Sequence, residues 1–197
     1  MGYIIRLAII LMVVGSISAG GLALLNTKTA PIIAEYKRMV QEQARLEVMP
    51  DAEFGVFVLK DSSSSMPYYA AYADSNAAEL VGYVFTASGA GYSSTIQTVV
   101  GVDTNWNITG IKVTFQQETP GLGSKSTEVR YGEKDSWFQR QFKGKPATNI
   151  MVDKDGGEIV AITGATITSR AITDSIREEA NALKQKITAQ RKKEAIS

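Results

Sequence analysis

The chain has 197 residues, of which 44% are hydrophobic, 21% charged and 8% aromatic, and its 21 basic and 20 acidic side chains leave a net charge of +1. This composition indicates a folded domain with an additional segment and disfavours a disordered chain. The small net charge argues against a nucleic-acid-binding protein, which carries a clear basic excess. The sequence contains no cysteine and no histidine. Disulfides, thiolate nucleophiles, cysteine-bound iron–sulfur clusters, imidazole metal ligands and histidine-based catalytic triads are therefore excluded.

An uncharged, mostly apolar run extends from Leu7 to Leu25. As a helix it would be roughly 28 Å long at about 1.5 Å per residue, close to the ~30 Å hydrocarbon core of a bilayer. We therefore predict a transmembrane anchor within residues 1–27. A cleaved signal peptide, processed near Ala19, is the alternative, although the apolar run continues past the usual length of such a segment. Basic residues flank both ends, so positive charge does not decide the orientation.

The remaining sequence predicts helices and strands in an α+β order. Pro31 is expected to open a polar stalk helix that reaches about Val48, within residues 28–50, and Pro50 ends it. A loop is expected at Asp61–Ser65. Strands are predicted at Phe54–Leu59, Pro67–Ala73, Glu79–Ala87, Ser94–Val102, Ile108–Phe115 and Glu158–Ile162. Helices are predicted at Asp135–Phe142 and from Thr168 to about Lys193. We expect residues 51–197 to form a domain with an antiparallel sheet, flanking helices and a long C-terminal helix.

The first motif that can carry chemistry is the segment Glu118–Lys125, which reads ETPGLGSK and follows a predicted strand. Gly121 and Gly123 allow the backbone to turn tightly and to present amide groups to a ligand. An ordinary surface loop has the same glycine and proline content. The residues alone therefore leave both interpretations open.

The second motif is the segment Ile162–Ser169, which reads ITGATITS and lies between a short predicted strand and the terminal helix. The start of a helix has unpaired N–H groups and a positive dipole end, and both favour a bound phosphate. Gly164 and Ala165 add little bulk there. The alternative is ordinary N-capping of the helix by Thr168 or Ser169, which needs no ligand. A serine or threonine hydrolase is disfavoured, because no histidine is available to activate a hydroxyl.

Both motifs resemble segments of a known family. Thr163–Thr168 is similar to the (S/T)GAT-x-(S/T) flavinylation motif, and Glu118–Lys125 is similar to the ETPGLG-K segment of the same proteins. Residues 88–92 and 135–145 also resemble stretches of that family. The family is the FMN-binding domain shared by the G subunit of the Rnf electron-transport complex and the C subunit of the Na⁺-translocating NADH:quinone oxidoreductase. The short chain is more similar to the G subunit.

The resemblance implies a covalent FMN, joined by a phosphoester bond to Thr166 with the help of a flavin transferase. It also implies surroundings for that group. The phosphate would be surrounded by Thr163, Gly164, Ala165, Thr168 and Ser169. The flavin and ribityl chain would be approached by Glu118, Thr119, Gly121, Leu122 and Gly123, and further candidates for the same pocket are Gly89, Gly91 and Tyr92. The sequence departs from the family pattern at Val160, where an Asp is common, and at Gln116, where a His is common.

The resemblance further implies an electron-transfer subunit of a redox-driven ion pump in the cytoplasmic membrane, with the FMN domain on the extracytoplasmic side. Its partners would be other subunits of the complex, including iron–sulfur and flavin subunits, and the chain would not be catalytic alone. The C subunit of the quinone reductase is the close alternative. A membrane-tethered binding domain without redox function is the alternative from another class.

Overall fold

The computed structural model describes residues 2–50, 52, 56–60, 67–74, 79–133 and 135–194. The expected loop at Asp61–Ser65 and the predicted strand start at Phe54 lie outside these residues. The chain divides into two compact units, Met1–Val40 and Gln41–Ser197.

The N-terminal helix, α1, extends without interruption over Gly2–Val48. Within the described residues it is the one helix that is long and apolar enough to cross a membrane, although a signal sequence would satisfy the same criteria. The prediction that Pro31 opens a separate helix is wrong, because Pro31 lies inside α1. An interior proline loses one backbone N–H bond and its ring clashes with the carbonyl four residues earlier, at a cost of about 3 kcal/mol. The helical turns on both sides of Pro31 continue in spite of that cost.

In the described part of the chain, five antiparallel strands follow in a meander, with the spatial order of the sheet equal to the order in the chain. Their bounds are β1 at Val56–Lys60, β2 at Tyr68–Tyr72, β3 at Leu80–Ala90, β4 at Thr95–Asp103 and β5 at Ile108–Phe115. β-branched and aromatic residues are frequent along these segments, and such residues suit a sheet covered by other elements. The α+β prediction is confirmed, and β3 extends three residues beyond its predicted end at Ala87.

The sheet buries both of its faces. One face packs against the C-terminal helix α3, Thr166–Glu194, through residues such as Phe85, Val100 and Ile176. The other face is covered around Val48 and Met49, which pack on Val84 and Val99 together with neighbouring small residues. Burial of apolar surface on both sides stabilises the sheet and fixes its register.

The segment between β5 and α3 is mostly irregular. Within the predicted helix Asp135–Phe142 only one turn is helical, α2 at Trp137–Arg140. The predicted strand Glu158–Ile162 is wrong, because only an isolated bridge between Val152 and Ile159 is present. The backbone N–H groups of the next three residues donate instead to side chains, namely those of Gln141, Asp153 and Ser169. Side-chain acceptors here replace a neighbouring strand.

Candidate functional site

Three segments that are distant in sequence enclose one cavity of about 590 Å³. They are the tip of the β3–β4 hairpin, the loop after β5 and the turn that leads into α3. The cavity is lined by Tyr92, Glu118, Thr119, Leu122, Gly123, Gly164, Ala165, Thr166, Ile167 and Thr168. Its volume is within the about 300–1,000 Å³ that is usual for small-molecule sites. No lysine or arginine is among the lining residues.

The N-terminus of α3 lies at this cavity without a side-chain cap. The helix begins at Thr166, two residues earlier than predicted, and the carbonyl of Ala165 accepts the first helical bond from Ser169 at 3.0 Å. Ala165 has no side chain that could accept a hydrogen bond. The N–H groups of Thr166, Ile167 and Thr168 have no hydrogen-bond partner in the described part of the chain. The start of α3 therefore keeps three donors and its positive dipole end available.

The two hydroxyls that could have capped the helix are engaged elsewhere. Ser169 Oγ donates to the carbonyl of Ala165 at 3.0 Å and accepts from the N–H of Ile162 at 2.9 Å. Thr168 Oγ1 donates to Glu118 Oε2 at 2.6 Å. The capping interpretation of this motif is therefore wrong for both residues. Their hydroxyls hold neighbouring segments and leave the helix start uncapped.

The Thr166 side chain is half-buried and lines the cavity. Its hydroxyl makes no hydrogen bond to any described residue, and no basic group of the described chain is bonded to it. Gly164, two residues before it, has a φ of +78°, and a Cβ there would lie 3.1 Å from Leu122 Cδ2. A glycine is thus required where the turn meets the opposite wall of the cavity. The result is an unpaired threonine oxygen beside unpaired helix donors.

The Glu118 side chain is 6% exposed and its carboxylate is surrounded by donors. Oε1 accepts from the N–H groups of Ser93 and Ser94 at 3.0 and 3.1 Å, and Oε2 accepts from the N–H of Tyr92 at 3.0 Å and from Thr168 Oγ1. Burial raises the pKa of this carboxyl, but the hydrogen bonds from Thr168 and the three amides lower it more, so the net pKa lies below its ordinary value. The group is therefore an ionised carboxylate at neutral pH.

Nine of the fourteen predicted site residues line the cavity, and the sequence did not point to one lining residue, Ile167. Ile167 follows Thr166 in the first turn of α3, and its 51% exposure marks it as an apolar residue without a core partner. The predicted residues that do not line the cavity are Thr163, Ser169, Gly121, Gly91 and Gly89. Thr163 and Gly121 are exposed, and Ser169 is fully buried.

The two departures from the family pattern lie outside the cavity lining. Gln116 Oε1 accepts from the N–H of Glu118 at 2.8 Å, so this side chain supports the start of the loop. Val160 is held through its backbone by Gln141, which accepts from its N–H at 2.8 Å and donates to its carbonyl at 3.2 Å. The Val160 side chain is 53% exposed and faces away from the core.

The FMN-binding domain family matches residues 91–181, which include both motifs. The G subunit of the Na(+)-translocating ferredoxin:NAD(+) oxidoreductase complex of Acetobacterium woodii is 35% identical over 190 residues, which cover 88% of each chain. The chain belongs to the family of G subunits of ion-translocating oxidoreductase complexes. It thus contains an FMN-binding domain.

Other proteins are similar to the present chain as well. The G subunit of the ion-translocating oxidoreductase complex of Methanosarcina acetivorans is 31% identical over 179 residues, covering 88% of this chain and 90% of that protein. The crystal structure of the C subunit of the Na(+)-translocating NADH-quinone reductase from Parabacteroides distasonis is 26% identical over 58% of each chain, with a TM-score of 0.45.

Proposed function

We propose that this G subunit carries FMN covalently on Thr166 and passes electrons through it within a membrane redox-driven ion pump of the Rnf type. The observation that carries the proposal is the unpaired Thr166 hydroxyl at an uncapped helix N-terminus inside the cavity. Bound FMN supplies the redox chemistry that the side chains of this chain lack. The protein supplies the position and the environment of that group.

The residues of the site fit a flavin phosphate. Three free N–H groups and the positive end of α3 offer the donors that a phosphate accepts, so no basic side chain is needed. Ester formation replaces the hydroxyl proton of Thr166 by phosphorus, and the leaving group must depart from an activated flavin phosphoanhydride. Since no base of the described chain bonds to the hydroxyl, an external flavin transferase has to remove that proton.

The proposal also assigns the chain a place in the complex. Residues 1–27 are the membrane anchor, residues 28–50 the stalk and residues 51–197 the FMN-binding domain, which lies on the extracytoplasmic side. Because the chain has no cysteine or histidine, iron–sulfur clusters belong to partner subunits. Purification through a tag on this chain should therefore recover an iron–sulfur subunit and ferredoxin:NAD activity. Recovery of a quinone-reducing set would contradict the Rnf assignment, and protease access in oriented vesicles tests the sidedness.

The covalent bond is tested by the intact mass of the full chain after expression with a flavin transferase, together with in-gel flavin fluorescence. The wild-type chain should gain one FMN, and Thr166→Val should gain none. Thr104→Val is the matched control, because Thr104 is an exposed threonine that lies outside both motifs and outside the cavity lining. That control should be modified like the wild type. Flavin retained by Thr166→Val, or an unmodified wild-type chain, would refute the proposal.

A further inference from the structure

We propose that Glu118 is a positioning residue that ties together the three segments of the cofactor cavity and whose carboxylate does not hydrogen-bond to the flavin. Family resemblance places this residue against the cofactor. The hydrogen bonds of its carboxylate give it a different role. The flavin part of this inference rests on the proposed function, and the part that concerns the protein alone does not.

The carboxylate has no acceptor capacity left for a ligand. An ionised carboxylate offers about four lone-pair sites on its two oxygens. Three are taken by the amides of Tyr92, Ser93 and Ser94, and one by the hydroxyl of Thr168. The hydroxyl of Ser94 lies at 3.4 Å from Oε1 as an additional donor. A flavin amide or ribityl hydroxyl could bond to this carboxylate only by displacing a protein donor.

The donors come from both of the other cavity segments. The amides belong to the hairpin tip, which carries the lining residue Tyr92, and the hydroxyl belongs to the first turn of α3, which carries Thr166. Glu118 itself begins the loop that provides Leu122. One carboxylate therefore sets the distances between the three walls of the cavity. Hydrogen bonds to an ionised acceptor are about twice as strong as neutral ones, which suits this role.

Two glycines of the predicted site make room for the same side chain. A Cβ at Gly91 would lie 2.6 Å from Glu118 Oε1, and a Cβ at Gly123 would lie 2.7 Å from Glu118 Cβ and 2.5 Å from Thr168 Oγ1. Real Cβ atoms essentially never come within 3.0 Å of other heavy atoms. We therefore assign Gly91 and Gly123 to the packing around the carboxylate. This packing explains why glycine stands at these two positions without involving a cofactor.

The test begins with the full chain without flavin, using Glu118→Gln and the control Glu128→Gln, whose side chain is exposed. Hydrogen exchange is measured by mass spectrometry on peptides that contain residues 91–94. The amide of Gln places hydrogens where one carboxylate oxygen accepted, so we expect protection in Glu118→Gln to fall about 10- to 100-fold. The control should match the wild type. Unchanged protection in Glu118→Gln would overturn the inference.

The second measurement compares the visible circular dichroism of the same proteins after flavin loading. Glu118→Gln should alter the flavin signal, because the walls around the cofactor have moved, and Glu128→Gln should not. An altered flavin signal with unchanged exchange would make Glu118 a direct flavin contact, and altered exchange with an unchanged signal would make the carboxylate irrelevant to the cofactor. Either result contradicts positioning.

A milder variant guards against the loss of folding. Thr168→Val removes one of the donors and keeps the three amides, so it should change exchange and the flavin signal in the same direction as Glu118→Gln, by a smaller amount. No change in Thr168→Val would contradict the inference. If the wild-type chain takes up no flavin, the proposed function fails while the exchange measurement still decides the role of Glu118.

Discussion

Gly89 determines how closely α3 can approach the sheet, and its replacement by alanine gives the sharpest prediction for the scaffold of the site. A Cβ at this position of β3 would lie 2.8 Å from the carbonyl carbon of Ala171, closer still to its oxygen, and 3.1 Å from Ser175 Oγ. Ordinary contact begins at 3.4 Å. Because the obstacle is helix backbone, no rotamer change relieves it, and α3 has to move away from β3.

The cost of Gly89→Ala has two opposing parts. Overpacking of this kind destabilises by about 1–3 kcal/mol. Alanine also reduces the entropy of the unfolded chain, which offsets about 0.4–1 kcal/mol at a position without positive φ. We expect the free energy of unfolding to fall by about 1–2 kcal/mol. Since Thr166 begins the displaced helix, the fraction of chain that carries flavin should fall as well.

Urea unfolding of the full chain in detergent, followed by tryptophan fluorescence, measures the stability of Gly89→Ala. Ser88→Ala is the matched control, because Ser88 is the preceding residue of the same strand and its side chain is exposed. The control should remain within about 0.5 kcal/mol of the wild type, as is usual for surface substitutions. Stability of Gly89→Ala equal to that of the control would refute the close approach of α3 to the sheet.

Three further predictions concern the core, the pH dependence and the modification. Phe138 is fully buried, so Phe138→Ala should lower the free energy of unfolding by about 3–5 kcal/mol in the same urea experiment. A loss below about 1 kcal/mol would contradict the burial of Phe138. Because the pKa of Glu118 is lowered in the folded state, its stabilising contribution is present above the ordinary pKa near 4.5 and disappears as the pH falls through the folded value. The stability difference between wild type and Glu118→Gln should therefore shrink on acidification below about pH 4.5. Other carboxyls with lowered pKa titrate in both proteins and cancel in that difference, namely Asp153, Asp155 and Glu158. Val160→Asp introduces, at an exposed position, the acidic residue that is common there in the family pattern. The mass spectrum should then show an equal or larger fraction of modified chain. A smaller fraction would argue against recognition of an acidic residue at position 160 by the flavin transferase.

Local patterns predict the sheet well, because each strand is made of residues that suit a buried, pleated surface. The predicted bounds of β5 agree with the structure, and those of β4 differ by one residue at each end. Glu158–Ile162 has the same β-branched composition but no neighbouring strand. The acceptors for its backbone come from the side chains of Gln141, Asp153 and Ser169. Such partners depend on tertiary proximity, which no local pattern encodes.

Helix ends are harder to predict than helix interiors. The periodicity of α3 predicts its apolar face, but the preference of threonine for the N-cap position favours a start at Thr168. The structure uses that hydroxyl to bond Glu118, 50 positions earlier in the chain, and begins the helix at Thr166 instead. A long-range hydrogen bond thus overrides a local preference.

A residue can belong to a family motif without contacting the cofactor, and this site contains residues of both kinds. Thr166 and Leu122 face the cavity, whereas Gly91 and Ser169 serve the protein around it. A single flavin site needs both classes, because an unpaired hydroxyl is useful only if the surrounding segments keep it beside the free helix donors. Glu118 provides that order through bonds to amides and a hydroxyl. The absence of cysteine and histidine then has a physical meaning, since this chain has to position a redox group and does not have to perform redox chemistry with its own side chains.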